Sequence, residues 1–98
     1  MKIIQDISDL IDEEIEDAQK YARLYKQFLE SDPELAKTYR TLSSEELGHV
    51  DRLHTQVVRL ITEYRASHGE PPQTMMIIYE YLHKRNIQKV EDIKLMIA

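Results

Sequence analysis

The chain has no cysteine. Disulfides, thiolate metal ligands and thiolate-held iron centres are therefore excluded. Glycine and proline are scarce, at two and three residues, so few positions can interrupt a helix. No stretch approaches the ~20 apolar residues of a membrane span. The start lacks the basic-then-apolar pattern of a secretory signal, which makes a cytoplasmic location the expectation. An excess of basic residues is missing too. The net charge is −5, whereas a nucleic-acid partner usually leaves a basic footprint, so neither nucleic acid nor a membrane is expected as a partner. Repeats and low-complexity segments are also absent. What remains is the Glu, Lys, Leu, Ile and Gln of a soluble helical protein, with residues 1–98 forming one small domain.

Apolar periodicity predicts a first helix from about Asp6 to Glu30, with Asp6 or Ser8 as N-cap. Ser31-Asp32-Pro33-Glu34 reads as a turn and a new helix start. Ser31 or Asp32 can cap it, Pro33 suits its first turn, and Glu34 completes a capping box with Ser31. The second helix is expected from about Pro33 to Ser67. His68-Gly69-Glu70-Pro71-Pro72 ends it, with Gly as cap and two prolines that cannot continue a helix. Residues 6–67 thus form a helical hairpin and 71–98 a C-terminal part. That part contains a helix over about Gln73–Arg85 and another over about Gln88–Ile97, continuous with it if Asn86 stays helical.

Each long helix has an apolar seam with steps of three and four. In the first it runs Ile4, Ile7, Ile11, Glu14, Ala18, Tyr21, Tyr25, Phe28, and Glu14 is its one charged member. A second flank adds Ile3, Leu10, Ile15, Ala22, Leu24 and Leu29. In the second helix the seam runs Leu35, Tyr39, Leu42, Glu46, His49, Leu53, Val57, Leu60, Tyr64, with Glu46 and His49 in successive places. A short turn makes the helices antiparallel, so positions reflected about it sum to about 63. Glu14 and His49 sum to 63, and Glu14 and Glu46 to 60. At ~1.5 Å per residue all three fall within about one turn of the same level. Buried carboxylates need compensation, and a divalent cation is the simplest. Carboxylate and imidazole donors suit Fe²⁺, Mn²⁺ or Zn²⁺. The competing reading is a buried polar cluster.

Other residues carry paired readings. Tyr21 either hydrogen-bonds a ligand carboxylate or fills the core. Asp12, Glu13, Glu16, Asp17 and Glu45 either draw cations in or form a solvated face. Gly48, costly inside a helix by up to ~1 kcal/mol, is expected to admit a neighbour close to the site. Glu80 and His83 form a second Glu-x-x-His. A stripe of Met76, Glu80, His83, Ile87 and Val90 would turn both inward, and one of Ile78, Tyr79 and Leu82 would leave both outside. His54 reads as a partly buried helix histidine, His68 as part of a helix terminus, and Met75-Met76-Ile77-Ile78 as core or subunit interface.

Two broad apolar faces cannot both be satisfied inside one hairpin. Either the third helix covers part of the remaining face or a second copy does, and a four-helix bundle completed by a second copy is the expected solution. At this point Glu13 to Tyr21 (Glu-Glu-Ile-Glu-Asp-Ala-Gln-Lys-Tyr) and Glu45-Glu46-Leu47-Gly48-His49 resemble the ferritin-like superfamily of di-iron carboxylate proteins. That superfamily draws Glu from two helices and Glu-x-x-His from two others. The resemblance covers roughly residues 6–67. It is nearest to the encapsulated-ferritin type, a half-ferritin whose di-iron site forms between subunits, and more distant from rubrerythrins. From Pro71 onward the chain departs from the pattern.

The resemblance implies a ferritin-like all-α fold: a long antiparallel hairpin plus one or two C-terminal helices, dimerising into a four-helix bundle. It implies a homodimer or higher homo-oligomer with two Fe ions per dimer, held by Glu14, Glu46 and His49 from each copy. It implies a ferroxidase that oxidises Fe²⁺ to Fe³⁺, with the same three residues as its catalytic set. An encapsulin shell is the partner of that type, although Lys94-Leu95-Met96-Ile97-Ala98 is unlike a tail that addresses cargo to one. Two alternatives stand beside this: a non-enzymatic helical interaction module, and a di-metal (Mn or Fe) peroxide-scavenging protein.

Overall fold

A computed structural model describes residues 1–98. It contains three helices and no strand: α1 (Lys2–Phe28), α2 (Pro33–His68) and α3 (Gln73–Ile97). The molecule measures 55 × 18 × 18 Å. Its long dimension is that of α2, whose 36 residues span about 54 Å at the usual rise.

The helix bounds correct several sequence expectations. α1 begins at Lys2, four residues before Asp6, and has no side-chain N-cap. Lys2 pairs with Asp6 across its first turn at 3.0 Å. At α2 the cap is Asp32, whose carboxylate accepts from the Leu35 N–H at 3.2 Å. The expected Ser31–Glu34 box does not supply it. Gly69, at φ 80°, ends α2 and returns its N–H to the Arg65 carbonyl. That left-handed backbone suits glycine. α3 is one continuous helix through Asn86.

α1 and α2 pack antiparallel along their length, and α3 lies mainly on α1. Two contacts fix its direction. The Met1 amino group meets Met75 Sδ at 3.2 Å, and Arg40 donates to the Ile97 carbonyl. α3 therefore runs parallel to α1 and back along α2. The core is a single cluster built on Ile4, Ile11, Ile15, Ala18 and Ala22 of α1, Leu47, Val50, Val57 and Ile61 of α2, and Ile93 and Ile97 of α3. Small residues let α1 and α2 approach closely near their turn, where buried Ser43 donates to the Ala18 carbonyl at 2.8 Å.

The rotation of α1 differs from the sequence-derived seam. Ile15 and Ala22, assigned to a flank, are among its most buried residues, while Glu14, Tyr21 and Phe28 are half-buried. The cause is α3. It packs against one side of the hairpin and draws the core toward the Ile15–Ala22 edge. The opposite side is left open, and it is apolar for most of its length. Glu14, Tyr21 and Phe28 line it from α1, with Leu42, Glu46, His49, Leu53 and Leu60 from α2, all half-buried. No helix is long and apolar enough to cross a membrane.

Candidate metal centre

Helix geometry alone explains how the polar cluster assembles. Glu46 and His49 are three apart and share a face of α2. Glu14 reaches them from α1 because the helices are antiparallel in the register that the turn sets. The Ser43–Ala18 bond marks the same register one turn nearer the loop.

The three side chains meet. His49 Nδ1 lies 3.2 Å from Glu14 Oε2 and 3.5 Å from Glu46 Oε2. One ligand atom from each residue falls within a common 4.8 Å. Donors bound to one cation at about 2 Å lie within about 4 Å of one another, so a small inward adjustment of the side chains would let a single cation touch all three. The side chains remain partly open, at 18% exposure for Glu46, 28% for Glu14 and 43% for His49. The cluster is therefore neither sealed in the core nor free on the surface. It sits on the open side of the hairpin, flanked by apolar residues above and below.

A cation fits this donor set. Two carboxylates carry two negative charges, and the imidazole offers a neutral nitrogen of intermediate softness, the mixture that Fe²⁺, Mn²⁺ and Zn²⁺ accept. The three side chains that would hold it approach from the hairpin, with the open face beyond them. With no cation, the same atoms can satisfy one another: in the tautomer with its proton on Nδ1, His49 donates to Glu14 and lies close to Glu46.

The neighbours of the cluster only partly match the sequence reading. Tyr21 stacks on Tyr39 with centroids 6.2 Å apart, and Tyr39 in turn lies 6.1 Å from Phe28. An aromatic ladder thus continues the open face toward the turn. Gly48 admits no neighbour from its own chain, because a Cβ there would meet nothing within 4 Å. Asp12, grouped with the outer acids, is half-buried and ties down α3 by accepting from Asn86 at 3.1 Å and pairing with Arg85 at 3.6 Å. Glu13, Glu16, Asp17 and Glu45 are exposed.

Glu80 and His83 do not join the cluster. The inward stripe of α3 is Met76, Tyr79, His83, Asn86, Val90, Ile93 and Ile97, a pattern that matches neither expected stripe. It turns His83 in and leaves Glu80 and Ile87 exposed. His83 stacks on His54, with centroids 4.4 Å apart and planes within 4°, and Tyr79 also stacks on His83 at 5.8 Å. These rings line a groove of about 320 Å³ where α3 meets Ser8–Asp12 of α1 and Val50–His54 of α2. Burial, and secondarily the nearby His54, hold the His83 pKa below its ordinary value, and burial pushes the Tyr79 phenol up. The sequence held a signal for the pair. Reflection about the Gly69–Pro72 turn brings 54 and 83 within about one helical turn of the same level, a looser match than Glu14 and His49 about the first turn.

No protein-family model matches the chain, and no curated protein or solved structure does.

Proposed function

We propose that the chain is a di-iron carboxylate protein with ferroxidase-type activity, whose complete site forms between two copies. The observation that carries the reading is the convergence of Glu14, Glu46 and His49 within 4.8 Å on the open side of the hairpin. Half a site lies on a half-covered face. A second copy placed against that face would bury its apolar rows and bring the donor set to four carboxylates and two imidazoles. Two divalent cations balance those four charges.

In this reading Fe²⁺ is the substrate. Each of two ions gives up one electron, and dioxygen or peroxide takes the pair and becomes peroxide or water with protons from solvent. The protein supplies fixed positions and charge. Glu14 and Glu46 hold the ions by negative charge, which favours the ferric product over the ferrous substrate. His49 presents Nδ1 as a donor nitrogen in the tautomer that carries its proton on Nε2. The apolar rows on either side restrict water, which strengthens the electrostatics of the site. Manganese in the same donors, with peroxide as the oxidant, is the neighbouring chemistry. Comparing peroxide with dioxygen turnover on one sample separates the two.

Aerobic Fe²⁺ oxidation, followed by ferric absorbance, tests the proposal. Glu46→Ala is expected to slow it about tenfold or more, in line with losses at metal-site residues. An undiminished rate in that variant would exclude this cluster as the catalyst.

A second reading is favoured by the direct His49–Glu14 bond. The cluster can be a self-satisfied polar patch on the docking face of a non-enzymatic helical module. In that case Fe²⁺ produces no stoichiometric spectral change, and Glu14→Leu is tolerated without loss of function.

A further inference from the structure

The back of the hairpin holds a different polar device. Every side chain in the first twenty residues of α3 is half-buried or exposed, and its buried residues are Ile93 and Ile97 at the far end. The first half of α3 therefore rests on half-buried groups: Met76, Tyr79, Leu82, His83 and Asn86. Its aromatic contact with α2 is the His54–His83 stack. A stack of neutral imidazoles is mildly favourable, whereas two imidazolium rings at that separation repel. Both rings are half-buried and line a groove, so water screens this repulsion only in part.

The surrounding charges do not cancel this repulsion. From α1 the facing carboxylate is Asp12, already engaged by Asn86 and Arg85. From α2 it is Asp51, which is exposed and solvated. α3 itself contributes the neutral phenol of Tyr79. Farther along the groove are Glu91 and Lys94, which pair with each other at 3.5 Å.

We infer that the His54–His83 stack is an acid-sensitive latch on the first half of α3: charging both rings releases residues 73–86 from the hairpin while the Ile93–Ile97 end stays docked. Release would uncover Ile11 and Val50 on the side of the hairpin away from Glu14, Glu46 and His49. The inference does not rest on the metal reading, since neither ring belongs to that cluster.

The direction of the pH dependence follows from the environment of His83. Burial and His54 disfavour its charged form in the closed state, so the released state binds the proton more tightly. The latch is whole above the ordinary histidine pKa and weakens as pH falls through it. Each unit of difference between the two states is about a tenfold change in the opening equilibrium.

Hydrogen exchange read by mass spectrometry on the full chain tests this, with a chelator present and rates corrected for intrinsic pH dependence. Between about pH 7.5 and pH 5.5, peptides within 73–86 are expected to lose protection several-fold. Peptides covering 10–25 and 93–97 should hold theirs, and His83→Gln should flatten the change. His54→Gln provides an independent check, because removing either ring removes the like-charge pair. Protection in 73–86 that ignores pH would overturn the inference. So would an equal loss in His83→Gln, which would assign the effect to another group, or a loss spread evenly over the whole chain.

Discussion

His49 and His54 are five residues apart on α2, and so about 140° apart around it. The first faces two carboxylates at 3.2 and 3.5 Å, on the side of the hairpin that α3 leaves open. The second faces another imidazole at 4.4 Å, on the side that α3 covers. One residue type is thus placed in two opposite electrostatic settings. Among carboxylates, an added positive charge is attracted, whether proton or metal ion. Between imidazoles, a first added proton meets no opposing charge, but a second is repelled by the first. The open face gathers negative charge around its histidine, and the covered face sets one titratable ring against another.

The sharpest way to test this contrast is to weaken each face separately. Ile15 is almost fully buried where α3 meets the hairpin, so Ile15→Ala is expected to cost about 2–5 kcal/mol, read as a lower urea midpoint. Leu42→Ala, on the half-buried open face, should cost the single chain less. Equal costs would mean that the two faces are equally well packed. Cation binding gives the next largest effect. Anaerobic Fe²⁺ at a hundredfold excess over its dissociation constant should stabilise the native protein by about 2.7 kcal/mol. Melts of Glu14→Leu should show no such gain, and a gain of equal size would place the cation elsewhere. The smallest effect concerns pH. The closed form disfavours the His83 charge, so metal-free stability should decline as pH falls below about 6.5. Part of that decline should vanish in His83→Gln. A decline of the same size in the variant would leave the covered face without its acid sensitivity.

The sequence made the hairpin legible because its cues were local and agreed with one another. Pro33 and Gly69 bound α2 on chemical grounds that tertiary packing did not override. The convergence of Glu14, Glu46 and His49 was legible for a similar reason: a short turn fixes the register, and register fixes which side chains share a level. What escaped depended on α3. Whether Ile7 or Ile15 lies deeper in α1 is decided by which side α3 covers, and both residues fit an apolar stripe. Within α3, Tyr79, Glu80, His83, Asn86 and Ile87 allow several stripes of nearly equal merit. The helix took the one that buries Asn86 against Asp12 and His83 against His54, choices made by partners on other helices. Asp12 escaped for the same reason, since nothing near it in sequence marks it as the anchor for Asn86 and Arg85.

The most direct test of the account is native mass spectrometry of the metal-free protein before and after anaerobic Fe²⁺, beside Glu46→Ala and His49→Ala. The expected result is a dimer that takes up two metal ions, with uptake lost in both variants. A chain that takes up none would contradict it and leave a helical binding module. Uptake of two ions by a single chain would contradict the shared site.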